Sequence, residues 1–168
     1  MRVRDIIIQR DSLSLGVTLK EDIEYLANLF GDIELMRYTF GKIFSKEEAI
    51  NYIKSNFNFN SNIGFSPILL DNRLIGFGGI FKFSANSYEL GYILDKVYWG
   101  KGLATKAALM QRDYIVNTLK SKALATTHPQ NFASRRVLAK CGFEYVKDIV
   151  MEYRGERKLF EYKKLERV

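Results

Sequence analysis

Val97-Tyr98-Trp99-Gly100-Lys101-Gly102-Leu103-Ala104-Thr105 is the stretch on which the reading of this chain turns. An apolar run, Leu90-Gly91-Tyr92-Ile93-Leu94, stands just before it, and a helical pattern from Lys106 to Leu119 follows. The succession is a strand, a glycine turn and a helix start. The first backbone N–H groups of a helix have no partner inside it, and the helix dipole adds partial positive charge there. Gly100 and Gly102 carry no Cβ, so a ligand can approach their backbone closely. The junction is therefore suited to seat a phosphate or diphosphate; a plain turn entering a helix is the other reading of the same residues. No G-x-x-x-x-G-K-[ST] occurs, which excludes a P-loop. Thr105 stands where the third glycine of a dinucleotide fingerprint would fall, so that motif is incomplete.

The surroundings of this turn are basic. Residues 1–84 hold ten Lys/Arg and ten Asp/Glu, whereas residues 85–168 hold sixteen Lys/Arg against nine Asp/Glu, the whole of the +7 net charge. A polyanion would be drawn to the half that carries the turn. A phosphorylated cofactor, a nucleic acid and a merely solvated basic surface are the three readings. With 168 residues, 47% hydrophobic content and two prolines, the expectation is one folded domain over 1–168. No apolar run approaches the ~20 residues of a membrane span, and Met1-Arg2-Val3-Arg4-Asp5 is not followed by the apolar region of a secretory signal. One cysteine, Cys141, permits neither an internal disulfide nor a cysteine-based metal site. These features point to the cytoplasm and to chemistry without a metal.

Outward from the turn, the chain reads as alternating elements. Ile6-Ile7-Ile8-Gln9 is a first strand, and Leu13 to Val17 either extends it or forms an insertion. Thr18-Leu19-Lys20-Glu21 has the form of a capping box opening a helix with Ile23, Leu26, Ala27 and Phe30 on one face. Ser45-Lys46-Glu47-Glu48 opens a second helix, and Asn56 to Asn62 reads as a loop. Three strands follow as a meander, Gly64 to Leu70, Leu74 to Phe83 and Ser87 to Leu94. After the helix beyond Trp99 come a strand over Lys122 to Thr126 and a helix capped by Asn131 and ended by Gly142. Strands over Phe143 to Tyr153 and Lys158 to Leu165 close the chain.

Three blocks carry a resemblance. Glu89-Leu90-Gly91-Tyr92-Ile93-Leu94-Asp95, then Trp99 to Ala107, then Asn131-Phe132-Ala133-Ser134-Arg135-Arg136-Val137-Leu138-Ala139-Lys140-Cys141-Gly142-Phe143 resemble the GCN5-related N-acetyltransferase (GNAT) family, most closely its ribosomal-protein N-terminal acetyltransferase (RimJ/RimL-like) branch. The match runs from about Ile6 onward and is sharpest over 89–143. It implies an α/β GNAT fold, a mixed sheet of about six to seven strands with helices on both faces. It also implies direct transfer of an acetyl group from acetyl-CoA, the cosubstrate, to a primary amine.

By that resemblance, Gly100, Lys101, Gly102, Leu103, Ala104 and Thr105 hold the diphosphate with backbone amides. Ile93 and Leu94 line the pantetheine arm and polarise the acetyl carbonyl, and Asn131 lies near the same arm. Asn131 reads equally as a helix cap. Glu89 is the candidate base, since a carboxylate on a largely buried strand can accept the amine proton, directly or through water; a surface glutamate is the alternative. The tyrosine that many family members place on the last major helix is absent, Leu138 standing there, and Ser134 one turn earlier is the candidate acid. A local backbone bond is the alternative for Ser134. The family's signature has Gln or Arg where this chain has Trp99, and the branch often has Glu where it has Lys106. His128, the one histidine, reads as structural or solvated rather than catalytic. Phe57 to Phe59 and Tyr38-Thr39-Phe40 either line an acceptor channel or belong to the core. The acceptor expected from the branch is a protein N-terminal amine, and the basic half suits an acidic protein. A polyamine, amino acid or aminoglycoside is the alternative acceptor, and a CoA-binding domain without turnover or a nucleic-acid module are further alternatives. The chain acts alone or as a homodimer, without a membrane partner.

Overall fold

The computed structural model describes residues 3–164. Ile6–Arg10 (β1) and Leu13–Gly16 (β2) form a hairpin, followed by helices Ile23–Phe30 (α1), Ile33–Met36 (α2) and Lys46–Asn56 (α3). The meander is Gly64–Leu70 (β3), Arg73–Ser84 (β4) and Ser87–Leu94 (β5). Then come Leu103–Asp113 (α4), Lys122–Thr127 (β6), Phe132–Lys140 (α5), Phe143–Met151 (β7) and Gly155–Tyr162 (β8). The strands make one sheet in the order β1-β2-β3-β4-β5-β6-β8-β7.

The sheet has eight strands, not the six to seven expected. The difference is the Leu13–Gly16 segment, which is a strand of its own between β1 and β3, with Leu13 opposite Leu70 and Leu15 opposite Ile68. Leu13 and Leu15 are buried against Ile68 and Ile75, so burial makes this short alternating run a ladder member. The capping box expected at Thr18 is also not formed. The Asp22 carboxylate accepts the Leu19 N–H at 2.7 Å and takes two bonds from the Arg4 guanidinium. A charged acceptor outcompetes a hydroxyl at such a helix entry, and Thr18 Oγ1 is left buried with no partner among the described residues. The second box forms as read: Ser45 and Glu48 exchange bonds of 3.1 Å. The closing strand begins at Gly155 rather than Lys158, and the end expected at Leu165 lies outside the described residues.

Alternation along β4 and β5 divides the core in two. Phe77 and Ile93 pack with α1 and α3 on one face, around Leu26, Phe30 and Ile53. Ile80 and Leu90 pack on the other face with Ala108 of α4 and Leu138 of α5. Phe57 belongs to the first core, stacked on Phe65 with ring centroids 5.2 Å apart, so the Phe57 part of the expected channel is core. Between β4 and β5 the backbones approach so closely that a Cβ on Gly78 would lie 2.2 Å from the Gly91 carbonyl oxygen. Gln111 of α4, fully buried, spans the same point: its Oε1 accepts the Gly79 N–H at 3.2 Å and its Nε2 donates to the Gly91 carbonyl at 3.0 Å.

One ladder is parallel. β5 and β6 pair through Ser87–Lys122, Tyr88–Ala123 and Glu89–Leu124, and pairing stops there. Beyond Glu89, β5 continues beside β4 as far as Leu94, while β6 follows β8 as far as Thr127. The sheet opens into a V whose apex is Glu89.

Candidate active site

The helix start that follows β5 has the geometry read from the glycine turn. Gly100 and Gly102 hold φ of +76° and +74°, a region that side chains with a Cβ enter at a cost of roughly 1–2 kcal/mol. A Cβ at either would meet nothing within 4 Å, so the requirement is conformational and the space before the turn is open. The first bond of α4 runs from Lys106 N–H to the Gly102 carbonyl, at 3.2 Å. The N–H groups of Leu103, Ala104 and Thr105 therefore precede the helical ladder. Leu103 turns its side chain into the core, leaving only backbone for a ligand, and Lys101 is exposed. Trp99 donates its indole N–H to the Leu94 carbonyl at 2.9 Å, tying the turn to the end of β5. These residues fit a diphosphate as donors without a bulky side chain in the way.

The V leads into a cavity of about 890 Å³. Glu89 and Ile93 of β5 line it with Asn131 and Ser134 at the start of α5, so four residues named from the sequence, on two elements, surround one space. Leu94 is buried at the strand end, and the glycine turn stands outside the cavity lining. Tyr38, Thr39 and Phe40 line the cavity, together with Phe44, Tyr52, Phe65, Phe77 and Phe81. These rings pack edge to face, as in Phe40 against Tyr52 with centroids 5.3 Å apart at 84°. They form one aromatic wall.

Glu89 is 7% exposed and its carboxylate is held on both oxygens. Oε2 accepts Thr126 Oγ1 at 2.6 Å and Arg154 Nη1 at 3.2 Å, and Oε1 accepts Arg154 Nη2 at 2.9 Å. A carboxylate has about four acceptor positions, so one on Oε1 is left. Arg154 reaches Glu89 from the turn between β7 and β8.

Ser134 sits in the first turn of α5. Its N–H donates to the Asn131 side chain at 3.2 Å, which makes Asn131 the helix cap. Its Oγ lies 3.0 Å from the Tyr92 hydroxyl. Burial pushes the Tyr92 phenol well above its ordinary range, with the Ser134 bond opposing. Tyr92 therefore keeps its proton. Leu138 lines the cavity and is buried, as its apolar character dictates.

Arg157 was not legible from sequence. It is 5% exposed, and its guanidinium donates to the Thr39 carbonyl at 3.1 Å and the Glu156 carbonyl at 2.9 Å. Burial, then the Arg154 charge, lower its affinity for a proton. His128 packs against Tyr38, the rings tilted with centroids 4.9 Å apart, accepts the Gln130 N–H on Nδ1, and is held below its ordinary value by burial and then by the Arg157 charge. Tyr92, Thr126, Arg154 and Arg157 gave no signal because strand pairing, not spacing, brings them here. Among the described residues no cluster of His, Cys, Asp and Glu could hold a metal ion, and no helix is long and apolar enough to cross a membrane.

This combination of a parted parallel pair and a glycine-led helix start defines an acetyltransferase-like fold, and the comparisons place the chain within it. The chain belongs to the Acetyltransferase (GNAT) domain family, which matches residues 16–144. It is 39% identical over 77 residues to "Probable N-acetyltransferase YjcK" of Bacillus subtilis (strain 168), covering 44% of this chain and 42% of that protein. It is 32% identical over 114 residues to "Uncharacterized N-acetyltransferase YnaD" of the same organism, covering 66% of each. The matched stretch thus spans less than two thirds of either relative. The fold is similar to an acetyltransferase (GNAT family) from Bacillus anthracis, with TM-score 0.80 and 23% identity over 92% of this chain and 96% of that one. It is also similar to the acetyl transferase from Salmonella typhimurium that modifies the N-terminal serine of ribosomal protein L7/L12, with TM-score 0.76 and 15% identity over 94% and 98%. A spermidine N-acetyltransferase from Vibrio cholerae, in complex with CoA and spermine, has TM-score 0.74 and 20% identity over 90% and 95%.

Proposed function

We propose that this chain transfers the acetyl group of acetyl-CoA to a primary amine that enters the aromatic cavity, and that the amine is the N-terminus of a peptide or protein. The parting of β5 and β6 at Glu89 carries the reading, because it leaves the edge of Tyr92 to Leu94 without a partner strand. The backbone N–H groups of Leu103, Ala104 and Thr105, with Gly100, Lys101 and Gly102, hold the diphosphate. The edge of Ile93 and Leu94 holds the pantetheine arm and polarises the thioester carbonyl. Bound acetyl-CoA supplies an electrophilic carbonyl, so that attack by the amine nitrogen forms the amide C–N bond and breaks the C–S bond.

Glu89 takes the proton lost by the amine, through a water on its remaining acceptor position. Either hydroxyl of the Tyr92–Ser134 pair can donate, and in the reacting arrangement the neutral Tyr92 phenol is the donor. The Ser134 proton is then directed at the leaving sulfur and converts the thiolate to the thiol. Asn131 fixes Ser134 by capping α5. The wide cavity and the RimJ/RimL-like sequence blocks favour a peptide N-terminus over a polyamine, as does the pairing of the cavity's carboxylate with Arg154.

Calorimetric titration of acetyl-CoA into wild type and Gly102→Glu tests the seat. Binding by wild type and its loss in the variant is the expected result. Absence of binding by wild type would remove the acetyltransferase reading. Release of free thiol on adding N-terminal peptides then tests turnover.

A further inference from the structure

We infer that the acceptor carries an anionic group beside its amine, on an apolar or aromatic body, and that Arg157 receives that group. The inference rests on the acetyltransferase reading above and specifies its acceptor. Charge on the cavity lining is lopsided: Lys42, Lys82, Arg154 and Arg157 face a single carboxylate, Glu89. That carboxylate is already paired with Arg154 at 2.9 Å. The adjoining depression adds Arg37 against Glu156, so the mouth does not reverse the excess.

Arg157 is the decisive residue. Its guanidinium is buried, yet no carboxylate lies within 4.0 Å of it among the described residues. Two backbone carbonyls take two of its five N–H donors. Burying a cation without an anion is unfavourable, and removing the imbalance requires a negative partner. Its planar fork suits a carboxylate held by two parallel bonds. The residue lines both the cavity and the depression beside it, so an incoming group meets it. The aromatic wall of Phe40, Tyr52, Phe65 and Phe77 accommodates the body of the acceptor. A polycation gains nothing here, since the lining repels it.

A carboxylate beside an amine has two sources: the α-carboxylate of a free amino acid, or an acidic side chain next to the N-terminus of a peptide. Steady-state acetylation of five probes separates them: L-phenylalanine, L-phenylalaninamide, the tripeptide amides Phe-Asp-Gly and Phe-Asn-Gly, and spermidine. The expected result is that the acid of at least one matched pair exceeds its amide by about tenfold or more in kcat/KM, chiefly through KM, with spermidine poorest. Preference within the first pair assigns the free amino acid, and within the second the peptide. In Arg157→Gln the favoured ratio should fall to near one, and retained acetyl-CoA binding heat shows that the variant is folded. The wild-type ratios decide the inference without the variant. Equal turnover of acid and amide in both pairs, or spermidine as the best acceptor, would overturn it and leave the transferase reading standing. Failure to acetylate any probe despite acetyl-CoA binding would overturn both.

Discussion

The Tyr92 and Ser134 hydroxyls meet 3.0 Å apart, joining the free edge of β5 to the first turn of α5. The first residue is on a strand and the second on a helix, 42 positions later. Both residues belong to the cavity lining. Ser134→Ala should lower kcat by about a hundredfold, the lower range of general acid catalysis, with little change in KM for acetyl-CoA. Tyr92→Phe should lower kcat by about tenfold, since the serine remains but loses its orienting partner. Initial-rate kinetics by thiol release checks both. A Tyr92→Phe variant with wild-type kcat would leave Tyr92 as a packing residue.

Glu89 and Arg154 are expected to act as a unit. Glu89→Gln keeps the shape and removes the charge, so turnover should fall while acetyl-CoA binding persists. Unchanged turnover would remove Glu89 as the base. The pair is half open to solvent on the arginine side, where screening weakens ion pairs. A double-mutant cycle of Glu89→Ala and Arg154→Ala in urea denaturation should therefore give a coupling of only about 1 kcal/mol. Strict additivity would show that the contact contributes no net stability.

Gln111 is predicted to matter more for folding than any polar residue of the cavity. Gln111→Leu preserves bulk but strands the buried Gly79 N–H and the Gly91 carbonyl. At roughly 1–3 kcal/mol for each unsatisfied group, the loss should be about 2–6 kcal/mol. Chemical denaturation measures it directly. A loss below about 1 kcal/mol would mean that the two strands bond each other once the amide is gone.

His128 sets an acid limit to stability. Its folded-state value lies below the ordinary one of about 6.5, because burial and Arg157 disfavour its charged form. As pH falls through about 6.5, the unfolded chain binds a proton that the folded chain does not. This contribution is present above that pH and is lost below it. Urea midpoints at about pH 8 and about pH 5 should differ less in His128→Gln than in wild type. An equal fall in both would assign the acid sensitivity to other groups.

Much of this was legible in the sequence for physical reasons. Gly100 and Gly102 announced a turn into a helix, Asn131 and Gly142 marked both ends of α5, and three strands in a row gave the meander. Glu89 and Ile93 were named from the first block and Asn131 and Ser134 from the third, and the fold brings them to one cavity. The eighth strand was ambiguous because four residues alternate too briefly to define an element without their neighbours. Thr18 misled because the competing acceptor, Asp22, is set by a pairing with Arg4 that lies 18 residues away. Arg154 and Arg157 were out of reach for the same reason. Their place depends on β8 lying beside β6, a register that no local pattern encodes.

Trp99 has one more consequence. It is the sole tryptophan of the chain, 48% exposed, and its indole is anchored to Leu94 beside the glycine turn. All indole emission therefore arises from this single place, while the ten tyrosines stay dark under red-edge excitation. On the proposed seating, a diphosphate on Gly100 to Thr105 should change the solvent and charge around that ring, and with them the colour and intensity of its light. A cuvette titration of acetyl-CoA without any attached dye checks this shift.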